Sequence, residues 1–200
     1  MKIKRMPVGV YYANCYILLD EEKMECAVID PGGNADTIKS ALKDLNVENV
    51  KFILLTHGHA DHTGAAREIK KSYNAPIYIS EKDCDMMRRG AYMYGDIHDI
   101  VDNFLVDNEE LDLGKLKIKV INTPGHTPGG VCFLVNGVVF TGDTLFNGSI
   151  GRTDFEGGDQ KTLIESIKTR LMSLPNCTIV LPGHEERTSI EKERITNPYL

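Results

Sequence analysis

The chain has no surplus of basic residues: 23 Lys and Arg stand against 29 Asp and Glu, a formal charge of −6. A nucleic-acid backbone is bound largely by cations that displace its counterions, so this balance argues against nucleic acid as the main partner. Nor does any apolar run approach the roughly 18 residues needed to cross a bilayer, which argues against a membrane span. The opening MKIKRMPVGV is basic but is interrupted by Pro7 and Gly9 before an apolar stretch builds up, so it does not read as a signal peptide. There is no CxxC pair. The cysteines Cys15, Cys26, Cys84, Cys132 and Cys177 are odd in number and widely spaced. That pattern suits reduced thiols in a cytoplasm. Cys15, Cys26, Cys132 and Cys177 lie in apolar strand-like runs, where buried packing is expected rather than nucleophilic chemistry. No repeat, low-complexity tract or linker breaks the sequence, which reads as a single domain over 1–200.

What is present is an ordinary globular composition, 42% hydrophobic and 26% charged, which sets disorder aside as the main state. NCYILLDEEKMECAVIDPGG reads as two strands about a polar turn at Asp20 to Lys23. Ile38, Ala41, Leu42 and Leu45 recur at helical spacing over 35–45, and a second helix is expected over 64–73. KFILL (51–55) and PIYIS (76–80) read as strands, followed by a short helix over 81–89. Residues 90–104 resist assignment and are expected to form a long loop, beside a site or against another subunit. Strand signals return at 116–121, 131–135 and 138–141, the last two joined at Asn136-Gly137. A glycine-rich loop, 142–158, then leads to a helix carrying Leu163, Ile164, Ile167, Leu171 and Leu174, and CTIVLP forms a last strand. Strands and crossover helices alternating in this way predict an α/β domain in which helices cover sheets.

Histidine is scarce, six in all, and half of it lies in LLTHGHADHTG (54–64) at the end of an apolar strand. His57 and His59 are two apart and project to one side of an extended backbone, while Asp61 and His62 follow at the turn into the helix and face a second position. His126 in NTPGHTPGG, Asp143 in VVFTGDTLF and His184 in VLPGHEE each follow a predicted strand and adjoin a glycine. Imidazole and carboxylate without thiolate form a donor set suited to zinc, iron or manganese. One short segment can therefore serve two adjacent ions, with His126 and His184 completing one sphere each and Asp143 bridging. Singly, each of these residues is an ordinary turn or cap residue. His98, in GDIHDIVD, is read that way, as a surface or loop histidine.

The set His57-x-His59-x-Asp61-His62, His126, Asp143 and His184 resembles that of the metallo-β-lactamase superfamily, along nearly the whole chain. GHTPGG, GDTLF, GRTDFEGGD and the terminal ERITNPYL resemble its glyoxalase II-like members, the hydroxyacylglutathione hydrolases. The resemblance implies a four-layer αββα sandwich with a two-metal site along one edge of the paired sheets. By that likeness His57, His59 and His126 hold one divalent ion, Asp61, His62 and His184 hold the other, and Asp143 bridges them. Zinc is the first expectation, with iron or manganese as alternatives. The implied reaction is hydrolysis of an acyl thioester, of the S-acylglutathione type or a related one. A hydroxide between the ions is its nucleophile, and Asp61 and Asp143 are its catalytic carboxylates. Arg152 is expected near the thiol carrier, or else in a structural ion pair with Asp154 or another loop carboxylate.

Two departures bear on the substrate. Glyoxalase II enzymes typically add a C-terminal helical domain, whereas this chain ends at Leu200. Their GHEYT stretch offers a tyrosine where GHEERT here places Glu186, a poor contact for an anionic tripeptide. True β-lactamases resemble the chain only in fold on this reading, since they carry cysteine at the place of Asp143. Flavodiiron reductases, with glutamate at the place of His59, and RNA-processing members, with an inserted domain, fit less well. The alternatives that remain are a persulfide dioxygenase with one iron on His57, His126 and Asp143, a lactonase or other ester hydrolase, and a metal-dependent binding protein without catalysis. The sequence carries no argument about oligomeric state.

Overall fold

A computed structural model describes residues 1–200. Its first sheet contains β1 (Lys2–Val8), β2 (Ala13–Asp20), β3 (Glu25–Ile29), β4 (Asn49–Leu54), β5 (Ile77–Ile79) and β6 (Asn103–Phe104), side by side in chain order. β2 runs antiparallel to its neighbours β1 and β3, and β3 to β6 run parallel. Helices α1 (Ala35–Asp44), α2 (Ala60–Thr63), α3 (Ala66–Tyr73) and α4 (Glu81–Arg88) lie in the connections of that parallel half. The second half contributes β7 (Glu110–Leu113), β8 (Leu116–Asn122), β9 (Val131–Val135), β10 (Val138–Gly142), a small hairpin of β11 (Leu145–Phe146) and β12 (Ser149–Ile150), α5 (Gln160–Ser166), β13 (Ile179–Pro182), β14 (Thr188–Ser189) and α6 (Ile190–Thr196). Its main sheet has the order β14-β13-β10-β9-β8-β7.

Side-chain alternation explains how these elements stack. All eight residues of β2 are buried, because the two faces of the strand feed different cores. Cys15, Ile17 and Leu19 pack toward Ile38, Leu42 and Ile69 of α1 and α3. Tyr16 and Leu18 point the other way, against Ile118, Phe133 and Phe140 of the second sheet. The far face of that sheet, with Cys132, Val139 and Val180, meets Leu163 of α5, Ile167 and Leu171 just beyond it, and Ile190 of α6. The layers are therefore helix, sheet, sheet, helix. A bulge between β3 and β4 pairs Cys26 with Val50 but Ala27 with Phe52, so Lys51 is the extra residue. It leaves the core and reaches Glu25 Oε2 at 2.9 Å, while Phe52 and Leu54 stay in the inter-sheet layer.

Several expectations are corrected here. The opening segment, left without an element in the sequence, forms the edge strand β1, and Pro7 is tolerated because an edge strand need not donate from every nitrogen. The helix expected over 64–73 begins at Ala66 as α3, and a separate single turn, α2, precedes it at Ala60–Thr63. The helix after the long loop continues from α5 as a π-helical segment, Ile167–Leu171. Cys177 is exposed, since the last strand begins at Ile179 and Thr178, not Cys177, turns inward. Residues 90–104 are a structured strap. Tyr94 forms a β-bridge with His59, His98–Ile100 is one 3₁₀ turn, and β6 closes the sheet. No helix is long and apolar enough to cross a membrane.

Phe133 lies between the sheets at 0% exposure. Phe133→Ala is expected to cost about 3–5 kcal/mol of folding free energy, measured by urea unfolding.

Candidate metal centre

The strand ends bring all seven predicted donor residues to one edge of the sandwich. β4 ends just before Thr56-His57-Gly58-His59, and the single turn of α2 carries Asp61 and His62. β8 leads to His126, β10 to Asp143 and β13 to His184. Three sets have donor atoms within 4.8 Å of one another: His57, His59 and His126; His57, His62 and Asp143; Asp61, His62 and His184. Asp143 stands between the outer two. Its Oδ2 is 3.6 Å from His126 Nε2 and 3.5 Å from His184 Nε2, and its Oδ1 is 3.3 Å from His62 Nε2. His98 stands apart from these sets, beside Asp96 at 3.5 Å.

Three of the rings, those of His57, His62 and His126, are oriented from behind. Asp30 Oδ2 accepts from His62 Nδ1 at 3.0 Å and from the Thr56 hydroxyl at 2.7 Å, and its Oδ1 accepts from Thr56 N–H at 2.8 Å. Thr56 Oγ1 lies 3.1 Å from His57 Nδ1, and the Arg152 carbonyl lies 2.6 Å from His126 Nδ1. Carbonyl and carboxylate partners at one ring nitrogen leave the other as a lone-pair donor, the arrangement that orients metal-ligating histidines. Asn14 on β2 holds the last turn from the opposite sheet. Its side-chain amide donates to the Pro182 carbonyl at 3.0 Å and the Glu185 carbonyl at 2.9 Å, and its N–H donates to the Gly183 carbonyl at 2.7 Å. Gly183 is required there, because a Cβ would lie 2.3 Å from Asp143 Oδ1 and 2.8 Å from His62 Cε1.

The donor chemistry fits cations. His57 Nε2 and Asp143 Oδ1 are buried without hydrogen-bond partners, a cost that coordination would remove. His126 Nε2 faces His59 Nδ1 at 3.0 Å, two ring nitrogens that a shared cation would draw together. Burial pushes His57 well below its usual range and His59 down to about 3, so both are neutral imidazoles with a lone pair to give. Burial alone would raise the Asp143 carboxyl, but the charge and hydrogen bond of His62, followed by His126, outweigh it and hold it well below the ordinary carboxylate range. Burial likewise opposes protonation of His62, and Asp143 and Asp30 outweigh it, raising that imidazole.

Arg152, half of whose expectation was an ion pair, makes that pair: Nε and Nη2 reach Asp154 at 2.7 and 2.6 Å, and the guanidinium lies 3.8 Å over the Phe155 ring. It also lines the cleft above the donors. Glu186 does not. It is exposed and paired with Arg5 at 2.6 Å, and Glu185 takes its place at the cleft wall.

Sequence reasoning missed Asp30, Asn14 and Asp83. Asp83, on α4 and fully buried, accepts from Gly58 N–H at 2.8 Å, the Thr127 hydroxyl at 2.8 Å and Gly129 N–H at 2.7 Å. It thus ties the loop of His57 and His59 to the loop of His126. No local pattern marks it. The only signal was a carboxylate at a position where the face of a short helix turns inward. Because both oxygens accept from fixed N–H groups, Asp83→Asn sets an amide N–H against a donor on one side or the other. A loss of about 1–3 kcal/mol is expected by chemical denaturation.

Comparison with known proteins agrees with this geometry. The family model described as "Metallo-beta-lactamase superfamily" matches residues 8–184. A protein of Haemophilus influenzae named hydroxyacylglutathione hydrolase GloC is 41% identical, the alignment covering 100% of this chain and 98% of the relative. Among solved structures, the BLEG-1 B3 metallo-β-lactamase superposes with a TM-score of 0.88 at 34% identity, covering 100% of this chain and 99% of that one. The structure of TTHA1623 in a di-iron-bound form gives 0.86 at 32% identity, covering 98% and 100%. The likeness to BLEG-1 corrects the expectation that β-lactamases share only the fold, since identity at that level extends beyond architecture. With the donor residues gathered at one sheet edge and likeness running through nearly the whole length, the chain belongs to the metallo-β-lactamase superfamily.

Proposed function

We propose that the protein is a two-metal hydrolase that cleaves an acyl thioester of the S-acylglutathione type. The observation that carries this reading is the buried donor set with unsatisfied lone pairs on His57 and Asp143, open to a cleft. The full-length likeness to a hydroxyacylglutathione hydrolase supports the thioester class. His57, His59 and His126 would hold one ion, Asp61, His62 and His184 the other, and Asp143 would reach both. We take zinc as the first choice of ion and iron as the second. When bound, such ions supply Lewis acidity and a water whose pKa falls from about 15.7 toward ~7.

The chain's own part is positioning and proton handling. Asp61 is part-buried, with Oδ2 3.3 Å from His184 Nε2, and it takes the proton released as water attacks the carbonyl. Asp143, kept ionised by its surroundings, fixes the spacing of the two halves. The leaving group is a thiolate whose conjugate thiol has a pKa near ~8.5, so no side chain need protonate it. Arg152, at the rim, contacts the carboxylates of the thiol carrier. Five unpaired cysteines suit a reducing cytoplasm as the setting.

Asp143→Ala and His126→Ala are each expected to lose bound metal, measured by elemental analysis, and to lower kcat/KM for S-lactoylglutathione by roughly 10³-fold. Undiminished hydrolysis by a metal-free variant would overturn the proposal. Oxygen uptake with glutathione persulfide, in place of thioester cleavage, would favour the single-iron alternative.

A further inference from the structure

The cleft over the donors, about 440 Å³, has two chemically different ends. At the His59 end, Phe155 packs edge-on at 5.8 Å from the His59 ring and carries Arg152 on its face. At the His184 end, Phe146 stands 6.1 Å from the His184 ring. Phe146 and Ile150 both belong to the β11–β12 hairpin, and both line the cleft. Tyr11 reaches the cleft from the tip of the β1–β2 hairpin. That tip lies on the Asp61 side: Gly9 packs on Gly33, where a Cβ would be 2.9 Å from Gly9 Cα, and Gly32 lies directly against the Asp61 carbonyl. Tyr11 is 61% exposed.

Charge divides the same way. Among the lining residues Arg152 is the one permanent cation, and it sits at the His59 end, where Asp154 engages its Nε and Nη2 and leaves Nη1 to meet a ligand. Glu185 lines the other end beside His184. Its backbone is held at φ 63° by hydrogen bonds from Arg5 and Asn14 to its carbonyl, which fixes the residue, with an exposed carboxylate, at the rim. A thioester whose carbonyl lies over Asp143 must send its acyl arm and its thiol arm to opposite ends. A carrier bearing carboxylates belongs at Arg152.

We propose that Tyr11, Phe146 and Ile150, edged by Glu185, form the acyl subsite, and that it selects uncharged acyl groups with apolar substituents and rejects acyl groups bearing a carboxylate. This inference rests on the thioesterase reading. The apolar wall rewards removal of a hydrocarbon substituent from water. Glu185 adds repulsion for a second negative charge at the rim.

The test uses the metal-loaded enzyme and three glutathione thioesters with one carrier: S-acetyl, S-mandeloyl and S-succinyl. Phe146→Ala is expected to lower the mandeloyl-to-acetyl ratio of kcat/KM about tenfold, the scale of a lost apolar contact. Glu185→Gln is expected to raise the succinyl-to-acetyl ratio about fivefold, the scale of one exposed charge contact. Arg152→Ala should lower kcat/KM for all three alike, because it meets the shared carrier. Ratios unmoved in Phe146→Ala and Glu185→Gln, or moved instead by Arg152→Ala, would overturn the subsite while leaving the thioesterase reading intact. A wild-type enzyme that cleaves none of the three would remove both.

Discussion

Seven imidazole and carboxylate groups packed at one sheet edge, mostly out of water, are the constraint on which the rest of the structure depends. Such groups are costly to bury unless hydrogen-bonded, and they cannot all satisfy one another. The chain resolves this by giving one side of the imidazoles His57, His62 and His126 a fixed protein partner and leaving the other side for cations. Asp30, Thr56 and the Arg152 carbonyl hold rings from behind. Asp83 and Asn14 hold backbone: one joins two donor loops, the other suspends the His184 turn.

This support explains why the fold needs two sheets buried on both faces. The donors come from loops after β4, β8, β10 and β13, strands that belong to different sheets. Only a rigid inter-sheet layer, with Tyr16, Phe133 and Phe140 at its centre, can keep those strand ends at bonding distances from each other. The Tyr16 hydroxyl contributes directly, donating to the Pro182 carbonyl across the gap at 2.7 Å.

The seven donor residues were legible in the sequence because the strands feeding them are short apolar runs and each ends at histidine or aspartate beside glycine. The α/β layering was legible for the same reason. β1 was hidden by Pro7, which only the strand's place at the sheet edge makes acceptable. The strap over 90–104 was hidden because its order comes from pairing with the His59 segment, a contact some 35 positions away in sequence that no local periodicity records. Asp83 and Asn14 were hidden likewise, since their value lies in backbone groups they meet only after folding. Glu186 was misjudged because the left-handed turn at Glu185 rotates it away from the cleft and toward Arg5.

The grip of Asn14 on the Pro182–Glu185 turn has a mechanical consequence. A strand of one sheet carries the final donor loop of the other, so any shear between the two sheets changes the spacing between His184 and its neighbours. Slippage and donor geometry become one degree of freedom. A bound cation would then act as a pin through the sandwich, adding to the resistance that the packed inter-sheet layer already offers to sliding.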